Sequence, residues 1–107
     1  MSSPAAPRAQ ANDPVVVDAK HYTVEYEDER VRVLRIRYDP GEKSTMHRHP
    51  ESIAVLITDC KIRMTYPDGT AEDIQAPSGA VMHMPGVEHL PENLSDGVLE
   101  VVQVELK

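Results

Sequence analysis

Five turn signals punctuate the short apolar runs of this chain in the rhythm of an all-β domain: Asp39-Pro40-Gly41, Pro67-Asp68-Gly69, Pro77-Ser78-Gly79, Pro85-Gly86 and Ser95-Asp96-Gly97. Proline presets one backbone angle and glycine accepts conformations that other residues resist, so such clusters mark chain reversals. The runs between them are rich in Val, Ile and Leu. They predict strands at Val15 to Val17, Tyr22 to Tyr26, Val31 to Tyr38, Ser52 to Thr58, Ile62 to Tyr66, Ala71 to Ala76, Ala80 to Met84 and Val98 to Leu106. No window sustains a 3.6-residue apolar period over three turns. An all-β domain follows, either a closed barrel or a two-sheet sandwich of jelly-roll type, both of which shorten exposed sheet edges. In the last strand Val101, Gln103 and Glu105 alternate with Glu100, Val102, Val104 and Leu106, so Gln103 and Glu105 share a face.

At 107 residues the chain is expected to form one domain over residues 15–107, preceded by an arm at 1–14. That arm holds three Pro and four Ala among small polar residues, too little apolar surface to order itself alone, and is expected to be flexible or ordered by a partner subunit. Eighteen acidic against 11 basic residues give a net charge of −7, which argues against binding to nucleic acid. Arg30, Arg32, Arg35 and Arg37 form a local basic strip, read as a solvated strand face or dimer edge, with an anion-binding patch as the alternative. A single cysteine, Cys60, excludes an intramolecular disulfide and fits a reducing compartment. With no apolar run at the start and none approaching membrane-spanning length, the expected location is the cytoplasm and no membrane partner is expected. Four Tyr with no Phe or Trp leave Val, Ile, Leu and Met to build the core.

Chemistry concentrates in the histidines. His47 and His49 are two residues apart, and in an extended segment they share one face, about 7 Å apart along the strand, so both imidazoles can turn toward one ion. His89 lies 40 residues beyond His49. Neutral imidazole is the commonest side-chain ligand for first-row transition metals. His83 lies between Met82 and Met84, so either it or the methionines face inward; His21 is expected at the surface. The methionines are read as core filling rather than copper ligands, and Cys60 as a structural or exposed free thiol.

The spacing around these residues carries a family resemblance. Gly41, five residues, then His47-x-His49 matches the first half of the cupin signature; Gly79, five residues, Pro85, then His89, three residues and Asn93 matches most of the second. From about residue 31 to 106 the chain resembles the small single-domain cupins. The segment Met46 to Ser52 and the ending Val104-Glu105-Leu106-Lys107 look like a subgroup of short bacterial cupins, some of which are assigned to β-alanine degradation. The resemblance implies a jelly-roll barrel with one metal inside, held by His47, His49 and His89.

There are also departures from the family pattern. The positions where cupins usually carry a ligating glutamate hold Ile53 and Ala54, Cys60 stands near the place of a hairpin glycine, and the second motif is one residue short between Pro85 and His89. Strand parity would put Glu51 beside the histidines, as a fourth ligand or a proton-transfer residue, although Pro50 intervenes and leaves an exposed carboxylate as the third reading. Gln103, Glu105 and His83 are weaker pocket candidates.

Three neutral ligands would leave a divalent ion its full charge and open coordination positions, an arrangement similar to the three-histidine iron dioxygenases of the superfamily. The expected activity is Fe(II)-type oxygenase or dioxygenase chemistry on a small anionic molecule, with Ni, Zn, Mn and Cu as other possible ions. The other readings are a non-catalytic metal- or ligand-binding sensor and a metal-assisted lyase or isomerase. A homodimer is the expected assembly.

Overall fold

The computed structural model describes residues 12–107. Nine strands follow one short helix: α1 (Pro14–Val17), β1 (Tyr22–Glu27), β2 (Val31–Tyr38), β3 (His47–His49), β4 (Ser52–Leu56), β5 (Cys60–Thr65), β6 (Ala71–Ala76), β7 (Val81–Met84), β8 (Val87–Asn93) and β9 (Leu99–Leu106). They form a five-stranded sheet in the order β1-β2-β9-β4-β7 and a four-stranded sheet in the order β3-β8-β5-β6, with every strand pair antiparallel. The order interleaves strands distant in sequence, as a jelly roll requires. The core lies between the sheets, where Leu34, Ile36 and Tyr38 of β2 and Leu99 and Val101 of β9 meet Cys60 and Ile62 of β5.

Strand placement agrees closely with the sequence reading for β2 and β6, and within a few residues for β1, β4, β5, β7 and β9. Two corrections stand out. Val15 to Val17, read as a strand from its β-branched residues, is a helical turn: Asp13 caps it by accepting the Val15 N–H at 2.9 Å, and Pro14 occupies the first helical position, where its missing N–H does no harm. Strand β8 is not among the expected strands: it starts directly after the Pro85-Gly86 turn signal and runs through Pro91, which sits opposite Met64. Most of the expected arm, residues 1–11, lies outside the described residues. Asn12 to Pro14 are docked, the Asn12 carbonyl accepting the Arg48 N–H at 2.9 Å and Pro14 being buried.

Gly41, Gly69 and Gly79 close three of the turn signals with φ of 76°, 89° and 88°, a region in which no other described residue lies. The turn leading to Cys60 therefore needs no glycine. Asn93, the last residue of the second motif, is fully buried and ties the end of β2 to the β8–β9 loop: its side-chain N–H groups donate to the carbonyls of Tyr38, Asp39 and Gly97, and its oxygen accepts from the Ser95 amide and hydroxyl. Replacing it with alanine would leave buried carbonyls unpaired, each worth about 1–3 kcal/mol. We expect Asn93→Ala to lower unfolding stability by about 2–5 kcal/mol, read as a fall in the urea midpoint without a change in slope.

Candidate metal centre

His47 and His49 point to the same side of β3, and both are fully buried while Arg48 between them is exposed. The period-2 geometry expected from the sequence is what does this. His89 arrives from β8, directly opposite His47 in the antiparallel register. The shortened second motif does not keep it away. Ring centroids are 4.8 Å apart for His47 and His49, 4.9 Å for His47 and His89, and 5.2 Å for His49 and His89. Each ring offers a nitrogen within 4.8 Å of the others. All three Nε2 atoms are buried without a hydrogen-bond partner among the described residues.

Groups on the far side of the rings fix their orientation. His47 Nδ1 lies 2.8 Å from the Thr45 carbonyl and 3.1 Å from Ser44 Oγ. Since a carbonyl only accepts, Nδ1 carries the proton and Nε2 keeps its lone pair. His49 Nδ1 donates to Glu105 Oε2 at 2.6 Å, with the same consequence for its Nε2. Burial raises the Glu105 carboxyl pKa, but hydrogen bonds from His49 and Arg32, with the Arg32 charge, outweigh it and hold the group below its usual range. Burial, followed by the neighbouring His49, pushes His47 down to about 4; burial, then His49 and His47, pushes His89 down to about 3. Both rings are neutral at neutral pH, the form that ligates metals.

Beyond the rings lie two polar chains. Arg32 Nε donates to Glu105 Oε1 at 2.8 Å, and its Nη atoms grip Asp13 at 3.0 and 3.1 Å. Ser44 Oγ donates to Asp18 Oδ2 at 2.5 Å, and Asp18 in turn meets His21 Nδ1 at 2.8 Å. His21 is thus buried rather than at the surface as expected, stacked on Tyr38 at 4.3 Å with Glu42 on its other nitrogen at 3.0 Å. Three arginines of the strip prove to be paired: besides Arg32, Arg35 binds Glu25 and Glu100, and Arg37 also reaches Glu100.

A cavity of about 40 Å³ runs into the barrel from His89. Its walls are mainly aliphatic and sulfur-bearing, including Ala54, Met64, Met82, Met84 and Cys60, with Tyr22, Tyr38 and Gln103 as polar members. Methionines 82 and 84 face inward, so His83 is exposed, as is Glu51, and the two pair at 2.7 Å. Glu51 is therefore not brought to the histidines. Strand β3 ends at His49, Pro50 breaks the alternation, and Ser52 takes the inward position. Gln103 is buried in the pocket wall and donates to Ser52 Oγ at 2.8 Å.

A cupin domain from Bordetella pertussis Tohama I shares 33% sequence identity with this chain, covering 80% of it and 91% of that domain at a TM-score of 0.74. The chain belongs to the cupins. More distant structures have the same fold: an RmlC-like cupin with a double-stranded β-helix from Methanocaldococcus jannaschii, at 22% identity, covers 83% of each chain with a TM-score of 0.62. An RmlC-like cupin from Desulfovibrio desulfuricans, at 19% identity, covers 98% of this chain and 96% of that one with a TM-score of 0.56. No family model and no curated protein matches the chain. In this cupin the residues that sequence reasoning ranked too low or did not single out are those behind the ligand face. Glu105 had a signal in its shared face with Gln103; Asp18, Ser44 and the partnership of Arg32 had none.

The buried rings give this cupin a definite pH response. An unfolded chain protonates its histidines near 6.5, whereas His47 and His89 in the folded protein resist protonation until about 4 and 3. Between these values the unfolded state binds more protons. Stability is complete above about pH 6.5 and falls as pH drops toward 4. In the presence of a chelator we expect the unfolding free energy from urea titrations to hold between pH 8 and 7 and to fall steadily from pH 6 to 4.5, by on the order of 1 kcal/mol per pH unit for each ring.

Proposed function

We propose that this cupin binds one divalent transition metal through His47, His49 and His89, and uses it to oxidise a small molecule with O₂ in the manner of an iron-dependent dioxygenase. The observation that carries the reading is the set of three buried, unpartnered Nε2 atoms facing one another. A buried polar nitrogen without a partner costs about 1–3 kcal/mol, and three gathered within ligand distance make sense as a site for a cation. A divalent iron bound there would supply Lewis acidity and redox chemistry at open coordination positions.

The chain's own residues prepare that site. Thr45 and Glu105 hold the Nδ1 protons and keep the lone pairs of His47 and His49 turned inward. Tyr22 packs edge-on over His47 at 4.8 Å, excludes water from the ring and shares a 2.6 Å hydrogen bond with Tyr38. Three neutral ligands favour an anionic or chelating head group, and the cavity beside His89, about 40 Å³ and mainly apolar, suits a short uncharged body. Short-chain acids, small diketones and thiols fit this description; a role in β-alanine degradation would supply substrates of similar size.

One observation favours the non-catalytic alternative. Glu51 pairs with His83 in solvent, and no carboxylate lines the cavity to move a proton. A sensor or accessory protein would need none. Cytoplasmic location and pairing of two copies are further parts of the proposal; among the described residues no helix is long and apolar enough to cross a membrane.

Loading the protein anaerobically with Fe(II) and recording O₂ uptake across short acids, diketones and thiols tests the reading. Uptake that depends on one of these substrates is the expected result. Turnover with zinc or manganese and no O₂ consumption would point to a lyase or isomerase, and tight binding without turnover to a sensor. His49→Ala should lose metal and, with it, the rise in melting temperature that metal gives the wild type; full metal content in that variant would remove His49 from the ligand set.

A further inference from the structure

The short helix α1 packs against β3, the strand that carries two of the three clustered histidines. Its two capping residues are both aspartates, and each begins a polar chain that ends on one of those rings. From the N-cap, Asp13 holds the Arg32 guanidinium with both oxygens, and Arg32 passes to Glu105 and Glu105 to His49. From the C-cap, Asp18 accepts from Ser44, and Ser44 contacts His47 Nδ1 at 3.1 Å. Just before the helix, the Asn12 carbonyl takes the Arg48 N–H, the amide lying between the two histidines. One segment of seven residues, 12–18, thus fixes the ligand strand by its backbone and by both of its rings.

We infer that segment 12–18 is a clasp that positions the metal ligands, so that its docking and metal binding reinforce each other. This rests on the metal reading above. Asp13, Asp18 and Ser44 are positioning residues, since none of them faces the ring nitrogens left free for a cation. Groups that orient ligating histidines from behind typically change metal affinity by about 10–100-fold when removed. Coupling is reciprocal: if releasing the clasp weakens metal binding about tenfold, saturating metal must favour the docked clasp by the same factor.

Hydrogen exchange on the full chain, with and without zinc, reads that coupling at the Val16, Val17 and Asp18 amides, whose hydrogen bonds to Asp13 and Pro14 carbonyls close the helical turn. Zinc should slow their exchange about tenfold beyond its effect on amides of the outer strand β6. Cobalt titrations, followed by the visible absorption of the bound ion, provide the second readout. Asp13→Ala, which loses the cap and the Arg32 pair together, should release these amides and weaken cobalt binding by about tenfold. Ser44→Ala should weaken it comparably and shift the absorption band, while Ser44→Thr, which keeps the hydroxyl, should return both toward wild type.

An Asp13→Ala protein whose clasp amides exchange freely but which binds cobalt as tightly as wild type overturns the inference, as does one whose amides stay protected, because that cap is the anchor. Equal effects of Ser44→Ala and Ser44→Thr overturn it too. If any variant fails to fold, the wild-type exchange experiment decides alone. A wild type that takes up neither zinc nor cobalt overturns the metal reading itself, and this inference with it; a wild type that binds metal without slowing the clasp amides overturns only the inference.

Discussion

Three imidazole nitrogens are buried together in this protein with no hydrogen-bond partner among the described residues, and most of what surrounds them can be understood from that constraint. A lone pair aimed into a dry interior is unfavourable unless a donor or a cation meets it. The fold nonetheless brings three of them within 4.8 Å. It does so with the most rigid device available, a cross-strand pair: His47 and His89 sit opposite each other on β3 and β8, and His49 follows two residues along on the same face. No loop conformation has to be held for the cluster to exist.

Charge is arranged in layers around that point. The inner layer is neutral, because burial keeps protons off His47 and His89. The next is anionic, with Glu105 directly behind His49 and Asp18 behind His47 through Ser44. The outer one contains Arg32 and the His21 ring, each shared between two carboxylates. A cation at the centre would see its nearest negative charge one side chain away, where it polarises the ligands without occupying a coordination position. An anionic ligand could then approach the centre without meeting a carboxylate in the cavity wall.

The fold was legible in the sequence wherever local signals and tertiary structure agreed. Turn chemistry at Gly41, Gly69 and Gly79 matches three positive-φ corners, and the β-branched and aliphatic run from Val31 to Tyr38, bounded by Asp39-Pro40-Gly41, gives β2 to the residue. His47 and His49 were legible for a related reason, since spacing by two residues translates directly into a shared face; His89 was legible only through the family spacing of the second motif. What escaped was set by contacts across the sheets. Three valines or near neighbours favour a strand, but Asp13 and Pro14 offered a helical start that won. Pro91 would ordinarily end a strand; in β8 it is tolerated, its carbonyl still accepting the Ser44 N–H at 2.9 Å. Parity carried Glu51 inward only on the assumption of a continuous strand, and Pro50 broke that continuity. His21 looked like surface because nothing local announces that two carboxylates and a tyrosine ring will enclose it.

Size and polarity of the cavity narrow the chemistry further than the ligand set does. About 40 Å³ holds only a few water molecules' worth of space, and its walls carry thioethers and aliphatic groups. A sugar or nucleotide would leave its hydroxyls unpaired there, at about 1–3 kcal/mol each. A ligand that reaches the histidines must therefore concentrate its polarity at one end. A divalent ion held by three neutral imidazoles would make the same demand from the other direction, since its full charge would attract a compact anionic or chelating group rather than a dispersed one. Ala54, at one of the positions where the family resemblance would place a ligating carboxylate, serves both: it would leave the charge of a bound ion uncompensated, and it lines the cavity with a small apolar side chain.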